Sequence, residues 1–116
     1  MEVLKNLEAI LAEAKAAAVA AANEMYEKIG GDRYACGFAW VDIYEYDGKK
    51  IRANSKLGKA LIANGVRKHE WKKCFDIWNP SDLNVQNIDI KEAGAEAYAK
   101  VLKGYGFEAY MGSRLD

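Results

Sequence analysis

The sequence predicts an α+β fold, arranged as a two-layer sandwich of helices on an antiparallel sheet. Three observations predict it: a helical period of apolar residues over the first quarter of the chain, a strand pattern that begins at Ala35, and two later helical segments between short strand-like segments. The chain has 116 residues. This length predicts a single domain over 1–116, with a long helix over 1–29 and an α+β core over 35–116.

The first helix is predicted from apolar residues at alternating steps of three and four, which place them on one stripe. The stripe consists of Leu4, Leu7, Leu11, Ala14, Ala18, Ala21 and Met25. Gly30 and Gly31 end the helix, because glycine adopts the left-handed conformation of a C-terminal cap. At ~1.5 Å per residue the helix is roughly 40 Å long, longer than a typical strand. The sequence leaves open whether this helix joins the other helices or covers the opposite face of the sheet.

The first strand, predicted over 35–46, has two different faces. Its small face is formed by Gly37, Ala39, Val41 and Ile43, and its aromatic face by Phe38, Trp40, Asp42, Tyr44 and Tyr46. Asp47 and Gly48 are a strong signal for a two-residue hairpin turn. We therefore expect 49–53 to form a short return arm.

A second helix and two strands are predicted after the hairpin. Asn54 or Ser55 caps the helix, which runs to Ala63. A polar connection over 67–73 then leads to a strand at 74–78. The run Asn79-Pro80-Ser81-Asp82 predicts a turn, because proline presets φ and its neighbours favour local hydrogen bonds. Residues 84–88 are expected to form another short strand.

The third helix opens at Asp89, because Asp89 and Glu92 have the spacing of a capping box. Its expected buried stripe is Ala93, Ala97, Val101 and Leu102. A last strand follows over 107–114. Apart from the first helix and the hairpin arm, the order is βαββαβ, which predicts a ferredoxin-like antiparallel sheet with an additional long N-terminal helix.

Composition excludes several classes of protein. With 51% hydrophobic residues, one proline and two cysteines, the chain is neither a disordered tail, nor a collagen-like repeat, nor a cysteine-rich secreted scaffold. Its start lacks the pattern of a signal peptide, and no stretch reaches the roughly 18 uninterrupted apolar residues of a membrane span. Two free cysteines in this context predict a cytoplasmic protein without a membrane partner.

The net charge is zero, but its distribution along the chain is uneven. Residues 1–48 carry −5, residues 49–73 carry +8 and residues 74–116 carry −3. The candidate contacts for an anion or a nucleic acid are Lys49, Lys50, Arg52, Arg67, Lys68, Trp71, Lys72 and Lys73. Cations interleaved with an aromatic ring suit a phosphate backbone beside a stacked base. The acidic surface of a second copy fits equally well, and the alternative is a solvated loop whose Trp71 packs into the core.

A second candidate surface is the aromatic side of the predicted sheet, with the polar residues near it. Its residues are Phe38, Trp40, Tyr44, Trp78, Asn79, Ser81, Gln86, Tyr110 and Arg114. Aromatic rings on an open four-stranded sheet stack bases in one large class of RNA-binding domains. Burial under the first helix, burial in a sheet-to-sheet dimer and a small-ligand platform remain alternatives.

The sequence predicts no catalytic residues, no metal site and no cofactor. His69 is the single histidine, and the two cysteines lack the paired spacing of a zinc site. Cys74 and His69 are a conceivable nucleophile pair, although a buried, unreactive thiol is the favoured interpretation of Cys74. For Arg114, an internal ion pair is favoured over a role as a ligand anchor.

Four motifs together suggest a relationship with other proteins: Gly37-Phe-Ala-Trp-Val41, Ile77-Trp-Asn-Pro-Ser81, Gln86-Asn-Ile-Asp-Ile-Lys-Glu-Ala-Gly94 and Ser113-Arg-Leu-Asp116. In combination they resemble a group of small hypothetical proteins encoded by tailed bacteriophages, including phages of marine bacteria. The resemblance covers most of 35–116 and implies expression in the cytoplasm of an infected bacterium. It implies no particular activity.

The function expected from these features is that of a non-enzymatic phage accessory protein that acts by binding or self-association, as a homodimer. The alternative is single-stranded nucleic-acid binding through the aromatic face and the basic 49–73 segment. A second alternative is a small enzyme or a binder of an anionic metabolite, with Arg114 as the anchor.

Overall fold

A computed structural model describes residues 2–116. The helices are α1 (Glu2–Ile29), α2 (Lys56–Ala63) and α3 (Ile88–Gly104), and the strands are β1 (Gly37–Tyr46), β2 (Lys49–Lys50), β3 (Arg67–Lys68), β4 (Phe75–Trp78) and β5 (Phe107–Leu115). The strands form one five-stranded antiparallel sheet, which packs against the helices. The α+β class predicted from the sequence is therefore confirmed.

The sheet is organised around β1, the longest strand. Along one side β1 pairs with β5 over its whole length, and along the other side it pairs with β4 and then with β2. β3 pairs with the free side of β4. In this register Trp40 lies opposite both Trp78 of β4 and Gly112 of β5. The side chains of one sheet face therefore come from three neighbouring strands.

The hairpin turn forms where the sequence predicts it, with positive φ at Asp47 (53°) and Gly48 (76°). The prediction for Tyr46 is wrong. A bulge between Ile43 and Glu45 shifts the register by one residue, so that Tyr46 turns to the core side and packs against Phe107 at 5.0 Å between ring centroids.

The core lies between the helices and one face of the sheet. Its buried strand residues are Ala39, Val41, Ile43, Phe75, Phe107 and Ala109, and they share one cluster with buried residues of all three helices. α1 packs along α3 and also touches α2, so the first helix joins the other two. α1 and α3 approach closely at Gly94, where an added Cβ would lie 3.3 Å from the carbonyl oxygen of Ala18.

Two predictions for the connections between helices are wrong. Part of the segment expected to be a polar connection is a strand, because Arg67 and Lys68 pair with Asp76 and Phe75 of β4. The segment 84–88 is not a strand, since its only ladder contact is an isolated bridge between Cys36 and Asn87. The two strands between α2 and α3 are therefore β3 and β4.

The cap and the buried stripe of α3 also differ from the prediction. Asn87 is the N-cap, and its side chain accepts a hydrogen bond of 2.9 Å from the Ile90 amide. Asp89 lies in the first turn, and Glu92 accepts a hydrogen bond from the Ser113 hydroxyl. Of the predicted stripe only Leu102 is buried; the buried positions are Ile88, Ile90, Lys91, Gly94, Ala95, Tyr98, Ala99 and Leu102.

Among residues 2–116, no helix has both the length and the apolar character needed to span a membrane.

Candidate binding face

The face of the sheet opposite the core carries the predicted aromatic residues. We call it the open face and define it by Phe38, Trp40, Tyr44, Trp78 and Tyr110, all of which lie outside the core cluster. The two indoles are in contact, with ring centroids 5.1 Å apart, and Phe38 meets Trp78 edge-on at 6.2 Å. Tyr44 and Tyr110 form a second pair at 6.1 Å. Trp78 and Tyr110 remain 45% and 48% exposed, so ring surface is available to a ligand.

Gly112 explains how the Trp40 indole lies against the sheet. Gly112 is directly opposite Trp40 in the ladder between β1 and β5. A Cβ on Gly112 would lie only 2.5 Å from Trp40 Nε1, so the ring occupies the space that any other residue would fill. The indole N–H donates to Asp42 Oδ2 at 3.3 Å, which holds the ring in a defined orientation.

Four cations, from the loop between β3 and β4, from α3 and from β5, surround these rings. Lys72 Nζ lies 5.9 Å from the centroid of Trp40, and Arg114 Cζ lies 5.3 Å from that of Phe38. Lys91 Nζ, on α3, lies 5.2 Å from the Phe38 centroid and donates to the Gly37 carbonyl at 2.8 Å. At these distances ammonium and guanidinium groups are attracted to ring faces. Lys103, also on α3, lies 5.1 Å from the ring of Tyr110.

Two acidic residues lie among the rings, and each has a basic partner. Asp42 and Asp76 face each other between β1 and β4 and are 7% and 1% exposed. Arg67 makes two hydrogen bonds of 3.0 Å to Asp76, which raise the pKa of Arg67. Lys72 Nζ lies 3.4 Å from Asp42 Oδ2, and the charge of Asp42 raises the pKa of Lys72. The centre of the open face is therefore close to neutral, and its free cations lie around the rim.

Cys74 and His69 do not form a nucleophile pair in this structure. The Cys74 thiol is buried and lies 3.7 Å from Asp42 Oδ1. Burial raises the pKa of Cys74 to about 11, so the thiol is protonated at neutral pH and is a poor nucleophile. His69 Nδ1 accepts hydrogen bonds from the backbone amides of Trp71 and Lys72, which fixes the loop between β3 and β4.

Half of the predicted anion contacts come together at one place outside the open face. Lys50, Arg52, Lys68 and Lys73 line a groove of about 350 Å³, which we call the basic groove. Lys49 is exposed on the adjacent β2. Arg67 and Lys72 lie on the open face instead, where they pair with the acidic residues described above.

Trp71 projects from the loop between β3 and β4 and is 87% exposed, so it does not pack into the core.

Several residues predicted for the aromatic face lie elsewhere. Ser81 is 2% exposed and sits in the α1–α3 contact beside Gly94, so it is unable to touch a ligand. Asn79 extends the β1 ladder through its amide, which donates to the Ala39 carbonyl, and its side-chain amide donates to the Leu83 carbonyl. Gln86 has an exposed side chain, while its backbone amide donates to Asp32. Arg114 is on the face, as predicted.

Gly112, Lys91 and Lys103 are also parts of the face, although they are not among the residues predicted for it. Gly112 is visible in the sequence as a glycine in the last predicted strand, where glycine signals the close approach of another group. Lys91 and Lys103 belong to α3, and no strand pattern predicts that their long side chains reach around the sheet to Phe38 and Tyr110.

Comparison of the chain with protein families, with curated proteins and with solved structures found no match.

Proposed function

We propose that this chain is a non-enzymatic phage accessory protein that acts by binding, and that the open face is its binding surface. The observation that carries the proposal is the contact between Trp40 and Trp78, in which Trp78 remains 45% exposed. Lys72 lies over Trp40, and Arg114 lies over the neighbouring ring of Phe38. Exposed contiguous aromatic rings in a protein surface usually mark an interaction site.

We propose in addition that the sheet with α2 and α3 is a ferredoxin-like, two-layer arrangement to which α1 is added. The pairing of β1 with β4 and β5, and of β4 with β3, supports it. So does the alternation along β1, in which Ala39, Val41 and Ile43 pack towards the helices. This arrangement leaves the second sheet face available to a ligand.

The ligand class that fits the open face best is single-stranded nucleic acid. Bases stack on exposed aromatic rings in a sequence-tolerant way, with about 1–3 kcal/mol per base. The cations around the rings are placed to contact phosphates, and the pairing of Asp42 with Lys72 reduces the repulsion of an anionic backbone. The basic groove supplies four further cations outside the open face, Lys50, Arg52, Lys68 and Lys73.

A second candidate function is the binding of a small anion in the basic groove. The observation that favours it is the convergence of Lys50, Arg52, Lys68 and Lys73 on one groove of about 350 Å³. Such a ligand would be displaced by phosphate or sulfate. Stacking on the open face is insensitive to small anions at concentrations that leave the ionic strength unchanged, so competition at constant ionic strength separates the two functions.

The direct test is a fluorescence anisotropy titration of a labelled oligothymidylate at 50 mM and 200 mM salt. With three to four phosphate contacts, affinity falls by roughly 20- to 50-fold between these concentrations. We expect Trp40→Ala and Trp71→Ala to weaken binding. Tyr105→Ala is the matched control, because Tyr105 is 41% exposed but bonds to Glu13 on the helical side. Absent or salt-independent binding overturns the nucleic-acid proposal.

The phage origin and the cytoplasm of an infected host are supported by the resemblance of the motifs between 35 and 116. Detection of the chain by mass spectrometry in lysates of phage-infected bacteria, and its absence before infection, is the expected result. Presence of the chain in uninfected, prophage-free cells would contradict this part of the proposal.

A further inference from the structure

The outer edge of β5 is an unpaired strand edge. β5 has nine residues and pairs with β1 on one side; within residues 2–116 no strand pairs with its other side. We propose that a second copy of this chain pairs there, β5 against β5 and antiparallel, about a twofold axis at Met111. The inference rests on the homodimer included in the expected function and identifies its interface.

Successive residues of β5 direct their backbone N–H and C=O groups to alternate sides of the strand. The Asp116 amide donates to the Cys36 carbonyl and the Asn79 amide donates to the Ala39 carbonyl. In an antiparallel ladder, residues with bonds to one neighbour alternate with residues that point away. Even-numbered residues of β5 therefore bond to β1, and Ala109, Met111 and Ser113 present their N–H and C=O groups to the outer edge.

Charge complementarity selects the register. The side chains of β5 on the open face include Glu108, Tyr110, Gly112 and Arg114. A twofold axis at Met111 places Glu108 opposite Arg114 of the partner subunit, and Tyr110 opposite the glycine at 112. An axis at Gly112 instead places Glu108 opposite an aspartate, residue 116, which is unfavourable. The Met111 register is the one that pairs unlike charges.

Within residues 2–116, Glu108 forms no salt bridge in the single chain. Its direct neighbour on β1 is Glu45, and a hydrogen bond with Glu108, together with its charge, raises the pKa of Glu45. Like charges directly opposite each other destabilise a sheet. Arg114 of the partner subunit would neutralise this acidic pair.

The axis also has a consequence for binding. A twofold axis perpendicular to the sheet keeps both open faces on the same side, so two copies form one continuous sheet with two adjoining aromatic surfaces. A single strand of nucleic acid long enough to reach both would bind more tightly than to one, because the second contact is intramolecular.

Cysteine cross-linking tests the register in the full-length chain. With Cys36→Ser as background, Met111→Cys is expected to form an interchain disulfide under mild oxidation, because paired Cα atoms lie ~5.5 Å apart in a bonded antiparallel pair. Ser113→Cys is the matched control, since it would lie more than ~13 Å from its counterpart. Cross-linking of Ser113→Cys but not Met111→Cys, or of neither, overturns the register.

Charge reversal gives a second readout that does not depend on a new cysteine. Light scattering at tens of micromolar is expected to give twice the chain mass. Arg114→Glu is expected to raise the dimer dissociation constant about tenfold or more. The double change Glu108→Arg, Arg114→Glu returns the dissociation constant to that of the parent chain. The control Lys59→Glu, on α2, leaves it unchanged. A monomer mass for the parent chain, or no rescue by the double change, contradicts the interface. Oligothymidylate binding is measured separately, so failure of the dimer is distinguishable from failure of the binding proposal.

Discussion

Removal of the Trp78 indole gives a worked prediction for the open face. Trp78 contacts Trp40 and Phe38 and is 45% exposed. A tryptophan side chain presents ~200 Å², so that roughly 100 Å² is buried here, worth about 2.5 kcal/mol at ~25 cal/mol/Å². For a chain of this length Trp78→Ala therefore lowers the melting temperature by about 10 °C.

The same substitution removes one stacking platform. Loss of one stacked base costs about 1–3 kcal/mol, which weakens binding of an oligothymidylate by roughly 5- to 150-fold. Trp78→Phe retains a ring and is expected to recover most of the affinity. Both variants are measured by anisotropy well below their melting temperatures, with Tyr105→Ala as the control, because this ring on the helical side is 41% exposed. If folded Trp78→Ala binds within twofold of the parent chain, stacking on the open face is refuted.

Three further perturbations test the packing of the face and of α3. Gly112→Ala forces the Trp40 indole out of its place, which costs about 1–3 kcal/mol of stability and quenches or shifts the tryptophan emission; an unchanged spectrum and melting temperature would contradict the packing described. Burial raises the pKa of the Cys74 thiol from 9.0 to about 11. As the pH rises, the unfolded chain therefore loses the thiol proton at a lower pH than the folded chain does. The free energy of unfolding consequently falls between about pH 9 and pH 11. Cys74→Ala is expected to flatten that part of the pH profile in urea titrations, and an unaltered slope would disprove the assignment. Asn87→Ala lowers stability by about 1–2 kcal/mol whereas Asp89→Ala changes it by less than about 0.5; equal effects in thermal unfolding would show that Asn87 is not the cap.

The parts of the fold that the sequence predicts well are those with local physical causes. The hairpin at Asp47-Gly48 follows from residues that tolerate positive φ, and both have it. The long α1 follows from its apolar period, and its end from Gly30 (φ 79°). These features depend on few distant contacts, so one sequence is sufficient to predict them.

The parts that the sequence does not predict depend on tertiary contacts. β3 has two residues, Arg67 and Lys68, and no apolar alternation; it is a strand because it pairs with β4. The bulge that turns Tyr46 to the core depends on the pairing of β1 with β5. Asn87 and Asp89 are both good cap residues, and the contact of Asn87 Nδ2 with the Arg33 carbonyl favours Asn87.

The sequence predicts which aromatic residues form the open face, but it does not predict how the basic residues are arranged around them. Alternation along β1 correctly separates Phe38 and Trp40 from the core residues. The side chains of the basic segment 49–73 point in different directions. Arg67 and Lys72 pair with buried acids on the open face, while Lys68 lines the basic groove. Charge along a chain predicts local potential only where the side chains point in the same direction.

The most direct test of the central proposal uses the three indole N–H groups of the chain, which belong to Trp40, Trp71 and Trp78. In a ¹H–¹⁵N correlation spectrum they give three resolved side-chain signals, assigned by the single substitutions. We predict that an oligothymidylate shifts the Trp40 and Trp78 signals saturably at low salt, and that the shifts disappear at high salt. If both signals stay in place at ligand concentrations that saturate the anisotropy titration, the open face is not the binding surface.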